Sequence, residues 1–305
     1  MSASRHLPVL VEESLEALAP ERGGLFVDCT LGMGGHAAAL LDRSPTARLL
    51  GIDRDPEALE RARRRLARHA ARVELAEAPF SRLAGVLGSR RVDGGIFADL
   101  GVSSWQLDEA RRGFSFQQEG PLDMRMGAAG RTAAEVVNED SEEELTRIMR
   151  EYGEERMARR IAREIVRRRA DRPLRTTAEL AATIHEAKGR RREGRVDSAT
   201  RVFQALRIEV NQELAELQRL LEQATRLLDQ DGRLVIISYH SLEDRLVKHH
   251  LRRHARGEID PVTGRPKKET QLLELLIRKA VRPAEKEMSE NPRARSARLR
   301  AARRR

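Results

Sequence analysis

The stretch FVDCTLGMGGHAAAL, residues 26–40, places three glycines within four positions, between an apolar run and an alanine-rich run. The apolar run predicts a buried strand, and the alanine-rich run predicts a helix. Glycine tolerates a sharp turn and lets a ligand approach the backbone, and the first turn of a helix offers N–H groups without intrahelical acceptors. A strand–loop–helix unit of this kind is typical of sites for nucleotides or nucleotide-like cofactors.

Short apolar runs alternate with helical patterns over about the first 110 residues. A helix is predicted at 56–70, and strands are predicted at 24–30, 47–53, 72–78 and 92–100. Strands that alternate with helices predict an α/β fold with a parallel, doubly wound sheet. The second strand ends on Asp53, 19 residues after Gly34, where a carboxylate can accept hydrogen bonds from ribose hydroxyls.

The alternation stops after about residue 112, and helical patterns follow as far as Arg207. One long helix is predicted from about Ala199 to Leu228. Strands are predicted at 233–239 and 272–281, with a short helix as the alternative for 272–281. The sequence therefore predicts a core domain made of residues 1–111 and 208–305. An all-helical domain, 112–207, is inserted into it.

Basic residues outnumber acidic ones, 58 against 48, which gives a net charge of +10 and a pI near 10.6. An excess of arginine-rich positive charge favours a nucleic-acid partner. The candidate contact regions are 156–175, 190–195 and the C-terminal tail 293–305. For 156–175 an exposed helix face with internal ion pairs is the alternative, because glutamates stand four residues from several arginines.

Location is predicted from what the sequence lacks. No run approaches the roughly 20 apolar residues of a membrane span. The opening MSASRHLPVL has no apolar segment of the kind found in secretion signals. Cys29 is the only cysteine, and one cysteine cannot form an internal disulfide. We therefore expect a cytoplasmic protein with no membrane partner.

The glycine loop alone does not identify its cofactor. Gly32, Gly34 and Ala37 fit the G-x-G-x-x-G/A pattern of dinucleotide-binding proteins. Two features favour S-adenosylmethionine over a nicotinamide cofactor. Asp99 stands at the predicted end of the fourth strand, where open α/β sheets bind ligands. Neither tyrosine, Tyr152 or Tyr239, belongs to a Tyr-x-x-x-Lys pattern.

Several motifs together resemble the bacterial ribosomal RNA small subunit methyltransferase H family (MraW-like). They are DCTLGMGGH, GIDRD, FADLGVSSWQLDEARRGFSF, PLDMRM, RVFQALRIEVNQEL, ISYHSLEDR and NPRARSARLR, in the family's order along the chain. The resemblance implies a class I (Rossmann-like) S-adenosylmethionine-dependent methyltransferase core with a helical insertion for substrate recognition. It implies N4-methylation of a cytidine in the decoding region of 16S rRNA in the small ribosomal subunit. A homodimer is compatible with it.

The resemblance also implies site residues, although it singles out no catalytic residue. Its cofactor contacts fall on Gly34, Gly35, His36, Asp53, Phe80, Asp99 and Gln106. The candidates for substrate binding are Trp105, Tyr239, His240 and Arg245. No metal is expected, because the one histidine pair at helical spacing, His250 and His254, lacks a third ligand and fits a basic helix face instead.

The sequence departs from the family pattern at two places. Trp105 stands where the family usually has proline, and Asp197 and Ser198 replace a His-Pro pair. Ser198 is expected to cap the following helix, and Ser241 with Asp244 is expected to cap the helix after the fifth strand.

Two rival functions remain open from the sequence. One is a nicotinamide-dependent oxidoreductase, and the other is a non-catalytic ribosome-assembly factor with a vestigial loop. The intact glycines and aspartates of the loop region argue against the second, since a vestigial site has no need to keep them.

Overall fold

The computed structural model describes residues 8–188, 197 and 199–305. The chain divides into two compact units: Met1–Gly101 with Leu214–Arg305, called here the sheet unit, and Val102–Glu213, called the helical unit. The predicted insertion, 112–207, lies inside the helical unit. The boundaries of the unit lie further out because the flanking residues Val102, Leu107 and Val210 pack against the helical core.

One seven-stranded sheet forms the centre of the sheet unit. Its strands are β1 Gly24–Asp28, β2 Ala47–Asp53, β3 Val73–Glu77, β4 Gly95–Asp99, β5 Arg233–Ser238, β6 Leu273–Leu275 and β7 Arg298–Arg304. Their order across the sheet is β3-β2-β1-β4-β5-β7-β6. The first five are parallel, and β7 runs antiparallel to both of its neighbours. The predicted α/β, Rossmann-like class is confirmed.

Helices connect and cover these strands. In chain order the first seven are α1 Val11–Leu18, α2 Gly35–Arg43, α3 Pro56–Arg65, α4 Leu83–Leu87, α5 Ser104–Asp108, α6 Ala133–Glu139 and α7 Glu142–Glu151. They are followed by α8 Ala158–Asp171, α9 Thr177–Lys188, α10 Thr200–Asn211, α11 Glu213–Leu227, α12 Ser241–Arg256 and α13 Glu285–Glu290.

Successive side chains of the buried strands point to opposite faces of the sheet and pack into two separate cores, one on each face. Phe26, Leu49, Phe97 and Val235 pack on one face with side chains of α1 and α2. Val27, Leu50, Ile96 and Ile236 pack on the other face with side chains of α4, α11 and α12. Because both faces are covered, the central strands read as continuous apolar runs, which is the pattern expected of a buried parallel sheet.

The helical unit has a core of its own, built mainly from α6 to α10. Amphipathic helices supply it: α8, for example, buries Ile161, Ala162 and Ile165 and exposes arginines. An isolated bridge joins Pro121 to Thr176. Strand pairing that extends beyond a single bridge does not occur among the described residues of this unit.

Two predicted elements near the end of the helical unit and beyond it are wrong in detail. The single helix expected over 199–228 is two helices, because Gln212 adopts a left-handed conformation (φ 51°) between α10 and α11. The preceding residue, Asn211, fixes this break by hydrogen-bonding the backbone of Met124 and Met126.

The strand expected over 272–281 is formed only at Leu273–Leu275. The N–H groups of Leu276 and Ile277 both donate to the carbonyl of Ala301, so regular pairing stops there.

The C-terminal tail was expected to contact RNA, and its last strand has a structural role that the sequence analysis did not anticipate. β7 lies between β5 and β6 in the sheet, with Leu299, Ala301 and Ala302 fully buried. Its arginines bind carboxylates of the same unit: Arg298 and Arg300 bind Asp244, and Arg303 binds Asp231 and Glu274. The tail therefore completes the core, and removing it would remove a strand.

None of the helices in the described part of the chain combines the length and the apolar character that crossing a membrane requires.

The Asp244 cluster generates a stability prediction. Asp244 is buried in α12, and burial opposes its ionisation, but the hydrogen bonds from Arg300 and Arg298 outweigh this and lower its pKa. We expect Asp244→Ala to lower the free energy of unfolding by about 3 kcal/mol, because it leaves two partly buried guanidinium groups without a carboxylate. Chemical denaturation at pH 7 measures the loss.

The matched control is Glu274→Gln, which breaks the exposed ion pair with Arg303 and should change stability by less than about 1 kcal/mol. The difference in the free energy of unfolding between Asp244→Ala and the wild type should shrink below about pH 4. A carboxyl group whose pKa is lower in the folded state than in the unfolded state stabilises the fold at pH values above its unfolded-state pKa. This contribution is lost as the pH falls through the folded-state pKa. Equal effects of the two variants would contradict the assignment.

Candidate functional site

The glycine loop joins the end of β1 to the start of α2. Gly32 and Gly34 have positive φ angles of 52° and 73°, and Gly34 is the N-cap residue of α2. Gly35 is the first residue of the helix, and a Cβ atom there would lie 2.4 Å from Cγ of Pro8. Backbone conformation therefore favours glycine at 32 and 34, and packing requires it at 35. The loop points the first N–H groups of α2 at the sheet edge.

Asp53 ties this loop to the end of β2. Its Oδ2 accepts the Gly32 N–H at 2.8 Å, and its Oδ1 accepts the Asp55 N–H at 2.9 Å. Burial raises its pKa, although these two hydrogen bonds oppose the shift. A carboxylate oxygen has two lone pairs, so each oxygen keeps an acceptor position for a ligand hydroxyl. The geometry fits the ribose contact expected of this residue.

Asp99 stands at the end of β4 and has three neighbours within the sheet unit. Its Oδ1 accepts the Tyr239 hydroxyl at 2.8 Å, and its backbone N–H donates to the Thr30 hydroxyl. His36 Nδ1 lies 3.9 Å from its Oδ2. Burial raises the pKa of Asp99 to about 7, against the lowering effect of the hydrogen bond from Tyr239.

Asp28 is a third carboxyl group at this edge, and it was not among the residues expected from the sequence. It is 3% exposed, and burial raises its pKa to about 7, with smaller contributions from Asp99 and Asp53. The signal was present in the sequence, because Asp28, Asp53 and Asp99 are each the last residue of a parallel strand. Three sheltered carboxyl groups together favour a ligand that carries positive charge.

His36 and Phe80 were expected to touch the cofactor. The His36 ring lies against Phe97, with centroids 4.7 Å apart, and its Nε2 is 2.8 Å from the carbonyl oxygen of Val9. Phe80 follows β3, is half-buried, and lies 6.0 Å from the guanidinium carbon of Arg54. Both residues therefore have contacts within the sheet unit, and their cofactor roles stay predictions.

Gln106 and Trp105 belong to the helical unit. Gln106 is buried, and its side chain accepts the Ser103 N–H as half of a capping box that opens α5. The Trp105 ring lies 5.5 Å from the guanidinium carbon of Arg112. The structure thus gives Gln106 a helix-capping role, and its cofactor contact stays a prediction.

α12 begins differently from the prediction. Its N-cap is His240 and not Ser241, and the Glu243 side chain accepts the N–H groups of Tyr239 and His240. Asp244 is unable to act as the capping partner because Arg298 and Arg300 occupy it. The buried His240 ring has its Nε2 3.2 Å from Glu243. Arg245 follows on the exposed side of the same helix.

His250 and His254 were placed on a basic helix face, and for His250 this is wrong. Its Nε2 lies 2.8 Å from the Thr225 hydroxyl, so its ring packs against α11. Burial lowers its pKa to about 4, with further lowering from His254 and Arg253. The ring is therefore neutral at physiological pH and serves interhelical packing.

Asp197, one of the residues that depart from the family pattern, has a structural role. It accepts the N–H of Ala199 and lies 2.8 Å from Nε2 of His185. Ser198, expected to cap this helix, and the basic stretch 190–195 lie outside the described residues.

The raised pKa of Asp28 generates a prediction about stability. A carboxyl group with a raised pKa keeps its proton in the folded state between about pH 4 and pH 7, so its contribution to stability falls as the pH rises through that window. We expect Asp28→Asn to stabilise the protein, by about 2–3 kcal/mol more at pH 8 than at pH 5. Denaturant titrations of the wild type and the variant at pH 5 and pH 8 give the change in the free energy of unfolding at each pH. If the substitution changed stability equally at the two pH values, the raised pKa would be contradicted.

The chain is similar to known proteins along almost its entire length. Residues 3–305 match the model of the MraW methylase family. Curated relatives named ribosomal RNA small subunit methyltransferase H include those of Syntrophotalea carbinolica and Acidiphilium cryptum. The first is 52% identical, with 98% of both chains covered. The second is 50% identical, with 97% of this chain and 96% of the relative covered.

Solved structures with a similar course of the chain are more distant. An rRNA methylase from Streptococcus thermophilus has a TM-score of 0.44 at 11% identity, covering 100% of this chain and 99% of that chain. An S-adenosylmethionine-dependent O-methyltransferase from Thermotoga maritima has a TM-score of 0.42 at 9% identity, covering 99% of this chain and 68% of that chain. With a match along almost its entire length and relatives at about half identity, the chain belongs to the MraW methylase family.

Proposed function

We infer that this protein is a methyltransferase that transfers a methyl group from S-adenosylmethionine to the ribosomal RNA of the small subunit. The observation that carries this inference is the family match over residues 3–305, together with relatives at 46–52% identity that all bear one name. Neither a nicotinamide-dependent oxidoreductase nor a non-catalytic assembly factor has support among these relatives. The acceptor that we propose is the N4 amine of a cytidine in the decoding region.

The residues of the sheet edge fit such a cofactor. S-adenosylmethionine supplies an electrophilic methyl group on a positively charged sulfur and also carries an ammonium group. The carboxyl groups of Asp28, Asp53 and Asp99 favour positive charge at this edge, and Asp53 keeps free acceptor positions for ribose hydroxyls. The glycine loop allows close approach to the backbone at the first turn of α2.

Asp99 is the residue that we propose to act on the nucleophile. The lone pair of a cytosine amine is delocalised into the ring, so the amine is a weak nucleophile until its hydrogens are held by an acceptor. A carboxylate that accepts one of those hydrogens raises the electron density on the nitrogen and can hold the departing proton. Alignment of the amine with the methyl group then contributes the larger part of the acceleration, as in other reactions that depend on proximity.

Tyr239 positions Asp99 in this proposal. Its hydroxyl is hydrogen-bonded to Oδ1, so Oδ2, which lies 3.9 Å from His36 Nδ1, is the oxygen that we assign to the ligand. The hydrogen bond also favours the ionised form of Asp99, which is the form that can accept a hydrogen. A hydroxyl that is already hydrogen-bonded to Asp99 fits this positioning role better than the direct substrate contact expected of Tyr239 from the sequence.

The reaction is tested with small ribosomal subunits from a strain that lacks this gene. The subunits are incubated with the purified protein and methyl-labelled S-adenosylmethionine, and the 16S rRNA is digested to nucleosides that are resolved by mass. We expect label in N4-methylcytidine from one site. Label in another nucleoside would overturn the N4 assignment, and no label despite measured cofactor binding would overturn the proposed substrate.

Tyr239→Phe tests the positioning role. Loss of a hydrogen bond to a charged group, worth about 1.5–3 kcal/mol, should raise the pKa of Asp99. The acid limb of the pH profile of kcat/KM should therefore move to higher pH by about one to two units, and activity should recover at alkaline pH.

Tyr152→Phe, which removes the hydroxyl of the other tyrosine in the chain, is the matched control and should leave the acid limb in place. Asp99→Asn should lower turnover at every pH, because no rise in pH restores the carboxylate. A Tyr239→Phe variant with lower activity and an unshifted limb would show that Tyr239 acts through folding alone.

A further inference from the structure

One segment of the sheet unit carries positive charge that is not matched by ion pairs with the residues that the structure describes. Residues 248–282 contain ten basic and four acidic residues, a net charge of +6 within a chain whose total is +10. None of these ten basic side chains forms an ion pair with a carboxylate in the described part of the chain. This charge is therefore available to an external anion.

Other arginine-rich parts of the chain differ in this respect. On α8 four of the arginines are paired with glutamates: Arg159 and Arg163 with Glu142, Arg167 with Glu164, and Arg168 with Glu186. On β7 the arginines bind Asp244, Asp231 and Glu274. Both regions were candidates for RNA contact from composition. Their charges are largely neutralised by their neighbours, which supports the alternative of an internally paired face for α8.

The basic residues of α12 lie on its exposed side. The helix buries Asp244, Val247 and Leu251 toward the sheet. Arg245, His249, Arg252 and Arg256 follow one another at i, i+4, i+7 and i+11 and are all exposed, with Arg253 exposed beside them. Residues at this spacing form one stripe along a helix.

The stripe has a defined place relative to the site. α12 starts directly after β5, where Tyr239 binds Asp99, and its 16 residues extend about 24 Å away from that edge. A hairpin held by the pairing of Ile259 with Pro266 follows the helix, and it exposes Arg265 and Lys268. The helix thus begins beside the site, and the arginines of its second half and of the hairpin lie beyond the reach of one nucleotide.

We propose that the exposed face formed by Arg252, Arg253 and Arg256, with the hairpin that follows, is a docking surface for the phosphate backbone of ribosomal RNA flanking the target nucleotide. The proposal rests on the proposed function and extends it to a second region of the substrate. Guanidinium groups bind phosphate oxygens bidentately, and unpaired arginines bind without first losing an internal partner. The single strongly exposed apolar side chain of the hairpin, Val262, is too small a patch for a protein or membrane partner.

The test variant is Arg252→Gln, Arg253→Gln and Arg256→Gln combined. Its KM for small subunits should rise roughly 10- to 50-fold at physiological salt, and the slope of log KM against log salt concentration should fall by about 2, because three phosphate contacts are lost. The kcat and the affinity for S-adenosylmethionine should stay at the wild-type values, since these arginines lie away from the sheet edge.

The matched control combines Arg22→Gln, Arg48→Gln and Arg65→Gln. These arginines are also exposed, also lack an ion pair among the described residues, and give the same loss of charge. The control should keep the wild-type salt slope. If both triple variants behave alike, only net charge matters and the docking surface is overturned.

Direct binding of subunits, measured by co-sedimentation, separates this proposal from the proposed function. If the wild-type protein binds subunits without methylating them, the proposed reaction fails, while a loss of binding in the α12 variant alone still supports the surface. Unchanged subunit binding in the α12 variant overturns the surface. A variant that binds subunits normally and loses binding only to vesicles of anionic lipid would overturn it as well.

Discussion

Three carboxyl groups end neighbouring parallel strands, and the electrostatic situation they create at one sheet edge organises the site. Burial raises the pKa of Asp28 and of Asp99 to about 7, and the charges of Asp99 and Asp53 make ionisation of Asp28 less favourable still. A ligand with positive charge relieves this repulsion when it binds. The clustered carboxyl groups therefore cost the ligand-free protein stability, and the same groups attract a cationic cofactor. Such a conflict is expected at a binding site.

The same edge depends on hydrogen bonds that cross between strands. Asp53 of β2 holds the Gly32 N–H of the loop after β1, and Thr30 of that loop receives the N–H of Asp99 from β4. Tyr239, which follows β5, donates its hydroxyl hydrogen to Asp99. Four neighbouring strands therefore fix one another's ends, so the geometry of the site is a property of the parallel sheet and not of any one loop.

Much of the sheet unit could be predicted, because its signals are local. Buried parallel strands are continuous apolar runs, and the residues that end them, such as Asp53 and Asp99, are visible as polar breaks. Asp28 gives the same signal and was missed because Cys29 and Thr30 after it resemble a continued strand. The break at Gln212 depends on Asn211 binding the backbone near Met124, some 85 residues away in sequence, and no local pattern reveals such a contact.

The C-terminal tail and α12 show how little net charge says about where an anion binds. Both are rich in arginine, yet Arg298 and Arg300 are bound by a buried aspartate that holds an antiparallel strand in place. The arginines at 252, 253 and 256 have no such partner among the residues that the structure describes. Composition counts both groups equally, and only the three-dimensional arrangement of the acidic residues separates them. For a protein that must hold a large polyanion, the informative quantity is therefore the positive charge left over after internal pairing. Here, among the described residues, that surplus lies in the second half of α12 and in the hairpin that follows it.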